Sequence, residues 1–378
     1  MTRPALETIG SWEAENVTVG QVEQAMSGLR RHQQRAAVRA SVLSLVVVVG
    51  DDAAGHDALE VVYDLGARHP SRTIVIVLDP GEGGGLDAAA SVHAVERAGR
   101  PVCFEDVVLR VRGRARHHLD SVVEPFSLPD LPLVVWLPSR LPEPGDPLLA
   151  IADRVVVDTR AVASGRAPGA AGAAGAAGAG AAGAGAAGAR AGGAGAAAGR
   201  GAPAGRGAGG ANRTVLPRAQ ALARRLPVAD LSWSRLAPWR SLLAGLFEGP
   251  VYRPFLREVE RVEVAGNYGP RHLLGGWLLH RLGLPPARMA LHEADHVAIT
   301  ITAVHRDRTG TFRVERTGNA RVIASSVEID RGPSVTQTVR MPDRWPALAL
   351  AGALTRMGRD GVYCEALEGA VELAGTLS

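Results

Sequence analysis

Between Ser41 and Val49 the chain reads SVLSLVVVV. A run this rich in β-branched residues, with almost no polar position, suits a strand buried on both faces, and such strands belong to parallel sheets covered by helices. The following sequence agrees. A helix is expected over His56–Ala67, a strand over Arg72–Leu78 (RTIVIVL), and an alternating strand over Val102–Val111. A helix over Arg114–Val123, a strand over Leu131–Leu137 (LPLVVWL) and a short one over Arg154–Asp158 come next. Strand and helix alternate, which is the order of βαβ units in an open, mostly parallel α/β sheet. Ahead of it, Thr18–Val38 reads as a polar amphipathic helix with Val22, Ala25, Met26 and Leu29 at helical spacing.

From about Ser164 to Gly210 the sequence is nearly all Ala and Gly. Ala favours helix, but each Gly costs about 1 kcal/mol in a helix interior, and there is no apolar face to bury. Pro is rare and Gly does not fall on every third residue, so a collagen repeat fails too. A disordered insert is expected.

Beyond it the pattern changes. Helices are expected over Val215–Leu226, Val251–Arg261 and His272–Leu282. Four alternating runs follow, Val297–Val304, Thr311–Arg316, Val322–Ile329 and Ser334–Met341, joined by short turns that fit antiparallel hairpins. Trp345–Met357 and the segment from Gly361 are helical in pattern. The expected organisation is an N-terminal helical segment (1–40), an α/β sheet domain (41–160), the Gly/Ala-rich insert (161–212) and an α+β domain with an antiparallel sheet (213–378).

Asp230–Pro250, DLSWSRLAPWRSLLAGLFEGP, opens the second part with two Trp and two Arg in a chain that is only 4% aromatic. Pro238 suits a first helical turn and Gly249-Pro250 a stop. On a helix from Pro238 to Glu248, Trp239, Leu242, Leu243, Leu246 and Phe247 share an arc of about 140°, with Arg240 at its edge. Two readings stand: a core helix with a solvated Arg, or one that presents Arg240 to an acidic partner.

Composition narrows the function. All 42 cations are Arg. Residues 1–158 are net −7, 159–228 net +9 and 229–378 net +2. The basicity therefore sits in the insert and its flanks. Neither folded part carries the basic, aromatic-studded face of a nucleic-acid binder. The first residues are acidic and lack an apolar stretch, and the uncharged run Ala170–Ala189 is too Gly-rich for a membrane span. A cytoplasmic protein is expected. Cys103 and Cys364 have no partner at metal spacing and read as ordinary thiols.

Catalytic motifs are few. His292-Glu293-Ala294-Asp295-His296 matches H-E-x-x-H, whose zinc chemistry requires a helix so that both imidazoles meet one metal. Here the space between Pro286 and the strand at Val297 leaves only a turn or two, and Thr302 stands where the extended motif has its third His. A zinc hydrolase using His292, Glu293 and His296 is the weakest alternative. Gly81–Gly85 (GEGGG) begins like a dinucleotide fingerprint, but Leu86 takes the last glycine's place. Without Lys there is no P-loop, and no G-x-S-x-G appears. His117-His118 have no nucleophile beside them, and Arg112, Arg114 and Arg116 read as a solvated basic face or a phosphate contact. A small anion at the strand ends, a sugar phosphate or nucleotide acting as regulator, remains an alternative function.

Five segments together resemble the OpcA family of actinobacterial type, the glucose-6-phosphate dehydrogenase assembly proteins. They are His69-Pro70-Ser71-Arg72 leading into TIVIVLD, LPDLPLVVWLP from Leu128, DLSWSRLAPWRSLLA from Asp230, AGNYGPRHLLGGWLLHRLG from Ala265, and RTGNARVI from Arg316. The chain departs from the family in its long insert, and Leu137 follows Trp136 where a second aromatic is common. The resemblance implies a non-catalytic partner that needs no cofactor, binds glucose-6-phosphate dehydrogenase and favours its active oligomer in the oxidative pentose phosphate pathway. Because Arg and Trp dominate interface energetics, Arg235, Trp239 and Arg240 are the first interface candidates. Asp130, Trp136, His69 and Arg72 are the second set.

Overall fold

The computed structural model describes residues 6–32, 38–39, 41–65, 69–81, 83–97, 100–165, 208–318, 321–330, 332, 334–341 and 345–376. Most of the Gly/Ala insert, residues 166–207, lies outside them. Its expected edges do not: Thr159–Ser164 and Ala208–Arg225 are both helical, so residues 161–164 and 208–212 belong to helices.

The first sheet holds β1 (Leu6–Ala14), β2 (Val38–Arg39), β3 (Leu43–Val49), β4 (Ser71–Leu78), β5 (Leu86–Arg97), β6 (Arg100–Val111), β7 (Leu133–Leu137), β8 (Arg154–Val157) and β9 (Val228–Asp230). Its order is β1-β5-β6-β4-β3-β7-β8-β9, with β2 beside β6. From β6 to β9 every neighbour is parallel, while β1, β5 and β6 meet antiparallel. β3 is buried at every position. Val46 and Val48 pack on one face with Ile74 and Ile76. Leu45, Val47 and Val49 pack on the other, against helix Asp52–Leu65 and helix Trp345–Thr355. Each such side chain contributes about 1.5–3 kcal/mol on burial. β9 and helix Trp345–Thr355 thus bring residues from beyond the insert onto the first sheet.

The second sheet holds β10 (Val259–Gly266), β11 (Met289–Glu293), β12 (Ala298–His305), β13 (Arg308–Arg316), β14 (Val322–Ile329) and β15 (Val335–Arg340), in the order β11-β10-β12-β13-β14-β15. All neighbours are antiparallel except β10 and β11. The molecule is therefore α/β, a mostly parallel sheet with helices and a mostly antiparallel sheet in the C-terminal half. One face of the second sheet (Val262, Val264, Ile299, Ile301, Phe312, Val314, Ile323) joins the same continuous apolar core as the first.

Three expectations change. The helix expected over Val251–Arg261 is a short 3-10 turn, Arg253–Arg257, followed by β10. Its VERVEVAG sequence hides period-2 alternation because the register slips between Val259 and Arg261. β5 is unexpected because its inward positions include Ala88, Ala90 and Ala94, which carry little hydrophobic signal. It also means that Gly81–Gly85 leads into a strand and not into the helix that a dinucleotide fingerprint requires. The N-terminal amphipathic helix ends at His32, and Val38 already pairs with β6.

The helix of the Trp/Arg stretch spans Ala237–Leu246. Trp239, Leu243, Leu246 and Phe247 are buried and Leu242 half-buried, while Ser241, Ala244, Gly245 and Glu248 are exposed.

Candidate functional site

Two carboxylates organise the carboxyl ends of β8 and β9, where open α/β sheets commonly place their ligands. Asp158 follows β8, Asp230 ends β9, and both are buried. Each caps the short helix after its own strand. Asp158 Oδ1 accepts from Ala161 N at 3.3 Å, and Asp230 Oδ1 accepts from Ser232 N at 2.8 Å.

They also reach across. Asp230 accepts from Thr159 N at 3.2 Å, Thr159 Oγ1 at 2.6 Å and Tyr363 Oη at 3.3 Å. Ser232 Oγ donates to Asp158 at 2.7 Å while receiving Arg160 N, also at 2.7 Å. Arg235 Nη1 completes the set with a 2.5 Å ion pair to Asp158 Oδ2. Residues before the insert are thereby latched to residues after it, and the latch offsets the entropy of closing that long loop. Burial, then the neighbouring charge of Asp158, pushes Asp230 up to about 6, against the bonds from Thr159 and Ser232 that favour its charged form.

Arg240 lies over Trp233, its guanidinium carbon 3.5 Å from the ring centroid, and donates to the Trp233 carbonyl at 3.4 Å. Burial lowers its pKa to about 10. Trp239 is 2% exposed, its indole donates to Val297 O at 3.3 Å, and Arg316 sits over its ring at 5.4 Å. The same helix borders an apolar cavity of about 470 Å³ lined by Leu243, Phe247, Leu256, Trp277 and Ile301.

The other candidates lie apart from this group. Trp136 is 1% exposed in β7, with its indole nitrogen buried and unpartnered. Arg72 donates to Glu105 and to Phe126 O, both at 3.1 Å. His69 meets Thr355 Oγ1 at 3.4 Å. Asp130 is exposed in a turn with φ of 63°. Arg235, Trp239 and Arg240 thus lie on two consecutive helices but engage different partners, Asp158, the Val297 carbonyl and the Trp233 ring, and the second set is dispersed.

Sequence reasoning missed Asp158, Thr159, Ser232 and Tyr363, which meet only through the tertiary fold. It also missed a buried relay behind β5, in which His93 Nε2 lies 2.6 Å from Asp106 and Nδ1 lies 3.1 Å from Thr8 Oγ1. Tyr63 donates to the same Asp106 at 3.2 Å.

The H-E-x-x-H residues do not share a helix. His292 and Glu293 end β11 and His296 lies in the following turn, all exposed. The four-residue spacing therefore does not place both imidazoles on one helical face. Among the described residues no group of three or more His, Cys, Asp or Glu is placed to hold a metal ion. No helix among them is long and apolar enough to cross a membrane.

Two family models match, in order, a region of each part of the chain. One, described as the glucose-6-phosphate dehydrogenase subunit N-terminal domain, covers residues 62–171; the other, the corresponding C-terminal domain, covers 226–367. The class is thus that of proteins described as subunits of this dehydrogenase, and the matches take in about two thirds of the chain. The chain belongs to the OpcA family. OpcA proteins named for the OxPP cycle are similar to it: that of Nostoc punctiforme is 23% identical over 252 residues, 64% of this chain and 43% of the relative. That of Synechocystis sp. is 23% identical over 232 residues, 59% of this chain and 39% of the relative. A shorter stretch, 39% identical over 62 residues, matches the protein of Synechococcus elongatus, covering 16% and 14% of the two chains. The chain spans less than half the length of each of these relatives.

Proposed function

We propose that the protein is a non-catalytic partner that binds glucose-6-phosphate dehydrogenase and favours its active oligomer in the oxidative pentose phosphate pathway. The observation that carries this reading is the ordered match of both family models, one on each side of the insert, onto a fold in which the two matched regions share one core. A partner shifts an assembly equilibrium only by binding one state more tightly than the other. The protein would therefore act by surface, with the latch around Asp158 and Asp230 holding that surface in shape.

Within the proposed interface, Asp130 is the exposed candidate, and Arg240 and Arg235 order the Trp233 and Asp158 surroundings. Trp136, Trp239, His69 and Arg72 support it from within. The test mixes this chain with the dehydrogenase of the same organism and follows sedimentation together with initial rate. A complex with raised rate is expected; no complex and an unchanged rate would overturn the proposal.

A further inference from the structure

At the outer edge of the first sheet, beside β9, a cavity of about 330 Å³ opens between helix Trp345–Thr355 and helix Gly361–Thr376. Arg154, Arg356 and Arg359 line it. We infer that these three arginines form a binding site for the phosphate group of a small phosphorylated metabolite.

Arg154 carries the inference. It is 3% exposed, yet it starts an edge-proximal strand and makes no ion pair among the described residues. Its Nη1 donates to Gly358 O at 2.7 Å, while its Nε is buried without an acceptor. A buried guanidinium without a carboxylate partner is costly, and an oxyanion bound in the cavity that Arg154 lines would offset that cost through the charge of the group as a whole. Burial already lowers the pKa of this guanidinium, with Asp360 opposing that shift and Arg356 adding to it.

The other groups favour the same chemistry. Arg356 is exposed and has no ion pair among the described residues. Arg359 is fixed by one bond, from Nη2 to Arg224 O at 3.1 Å. Two carboxylates also line the cavity, so its formal charge is three arginines against two aspartates, and both aspartates already accept bonds from the protein. Asp360 caps Tyr363 N at 3.0 Å, and Asp230 receives Thr159, Ser232 and Tyr363. The amino end of the 16-residue helix from Gly361 adds a partial positive charge. Guanidinium forks match phosphate geometry, so three arginines against two carboxylates favour an oxyanion over a cation.

Size and walls restrict the rest of the ligand. About 330 Å³ is at the low end of ligand pockets, enough for a monosaccharide phosphate and small for a dinucleotide. Gly352, Ala353 and Gly358 leave the room, and Trp233 and Tyr363 give flat walls for a carbon skeleton.

The test uses the full chain without any dehydrogenase, titrated calorimetrically at low salt with inorganic phosphate, ribose 5-phosphate and ribose. Saturable binding of ribose 5-phosphate, weaker binding of inorganic phosphate and none of ribose are expected. Arg356→Gln, an exposed change that leaves folding intact, should weaken phosphate binding about tenfold, as expected for the loss of one charge-assisted contact. Arg253→Gln, remote from this cavity, should not. No saturable binding of either phosphate compound, or equal affinities in Arg356→Gln and Arg253→Gln, would overturn the site. Arg154→Lys is a second variant, expected to bind more weakly while keeping the charge. Because no dehydrogenase is present, failure here leaves the partner reading standing.

Discussion

Helix Tyr268–Leu282 and helix Gly361–Thr376 cross so closely that glycine alone fits at the contact. A Cβ built on Gly276 would lie 2.1 Å from Ala366 O and 2.3 Å from Ala370 N, both backbone atoms of the facing helix. Reciprocally, one on Gly369 would lie 2.7 Å from Gly276 O. Backbone cannot rotate away as a side chain can, so Gly276→Ala forces the helices apart by about 1 Å. A gap of about 0.5–1 Å forfeits a quarter to a half of each contact's dispersion energy. The facing helix buries Tyr363, Ala366, Leu367, Ala370 and Leu373. The expected loss is about 3 kcal/mol or more, at the upper end of overpacking costs.

Two nearby changes separate that clash from the general effect of alanine in a helix. Gly275→Ala meets only the side-chain ends of Leu291 and Leu373, at 2.9 and 3.0 Å, which can move. Its cost and its helix-propensity gain of about 1 kcal/mol nearly cancel. Gly245→Ala points into open space and should stabilise by about 0.5–1 kcal/mol. Urea denaturation of the three variants reads these differences directly. Gly276→Ala as stable as Gly275→Ala would refute the close crossing.

Other outcomes follow from the same geometry. A carboxyl whose folded pKa is raised stabilises the fold below its unfolded value, and that contribution is lost as pH rises through the folded value. Asp230, near 6 when folded against an ordinary 3.8, should therefore cost about 3 kcal/mol between about pH 4 and pH 7. Asp230→Asn should flatten that part of the stability profile, measured by denaturation at both pH values. Arg240→Ala removes the stack on Trp233 and should cost about 1–2 kcal/mol; a loss below about 0.3 kcal/mol would show the stack to be idle. Trp136→Phe removes an indole nitrogen that has no partner and should cost less than about 1.5 kcal/mol, whereas Trp136→Ala should cost about 3–5 kcal/mol in thermal or urea unfolding.

What the sequence makes legible depends on how local the cause is. The β3 run is readable because a strand buried on both faces is apolar at nearly every position, Ser44 being the one polar residue and accepting from Leu128 N. The arc holding Trp239 is readable because helical period fixes which residues share a face. β5 is not, since alanine takes three of its inward positions, and β10 is not, since one register slip masks its alternation. The Asp158 and Asp230 latch stands farther beyond reach. Its members are 72 residues apart with a featureless insert between them, and only the adjacency of β8 and β9 brings them together. Arg235 stands out in the sequence beside its tryptophan, but its partner is the buried Asp158. Arg154 looks like the first residue of a short strand, and its buried, half-satisfied guanidinium shows only in three dimensions.

The central claim is that this protein shifts glucose-6-phosphate dehydrogenase toward its active assembly. Sedimentation velocity of the dehydrogenase from the same organism, with and without stoichiometric protein and with initial rate read from the same samples, tests it most directly. A larger dehydrogenase species containing both chains, appearing together with a higher rate, is the predicted result. An unchanged sedimentation profile and an unchanged rate would contradict it.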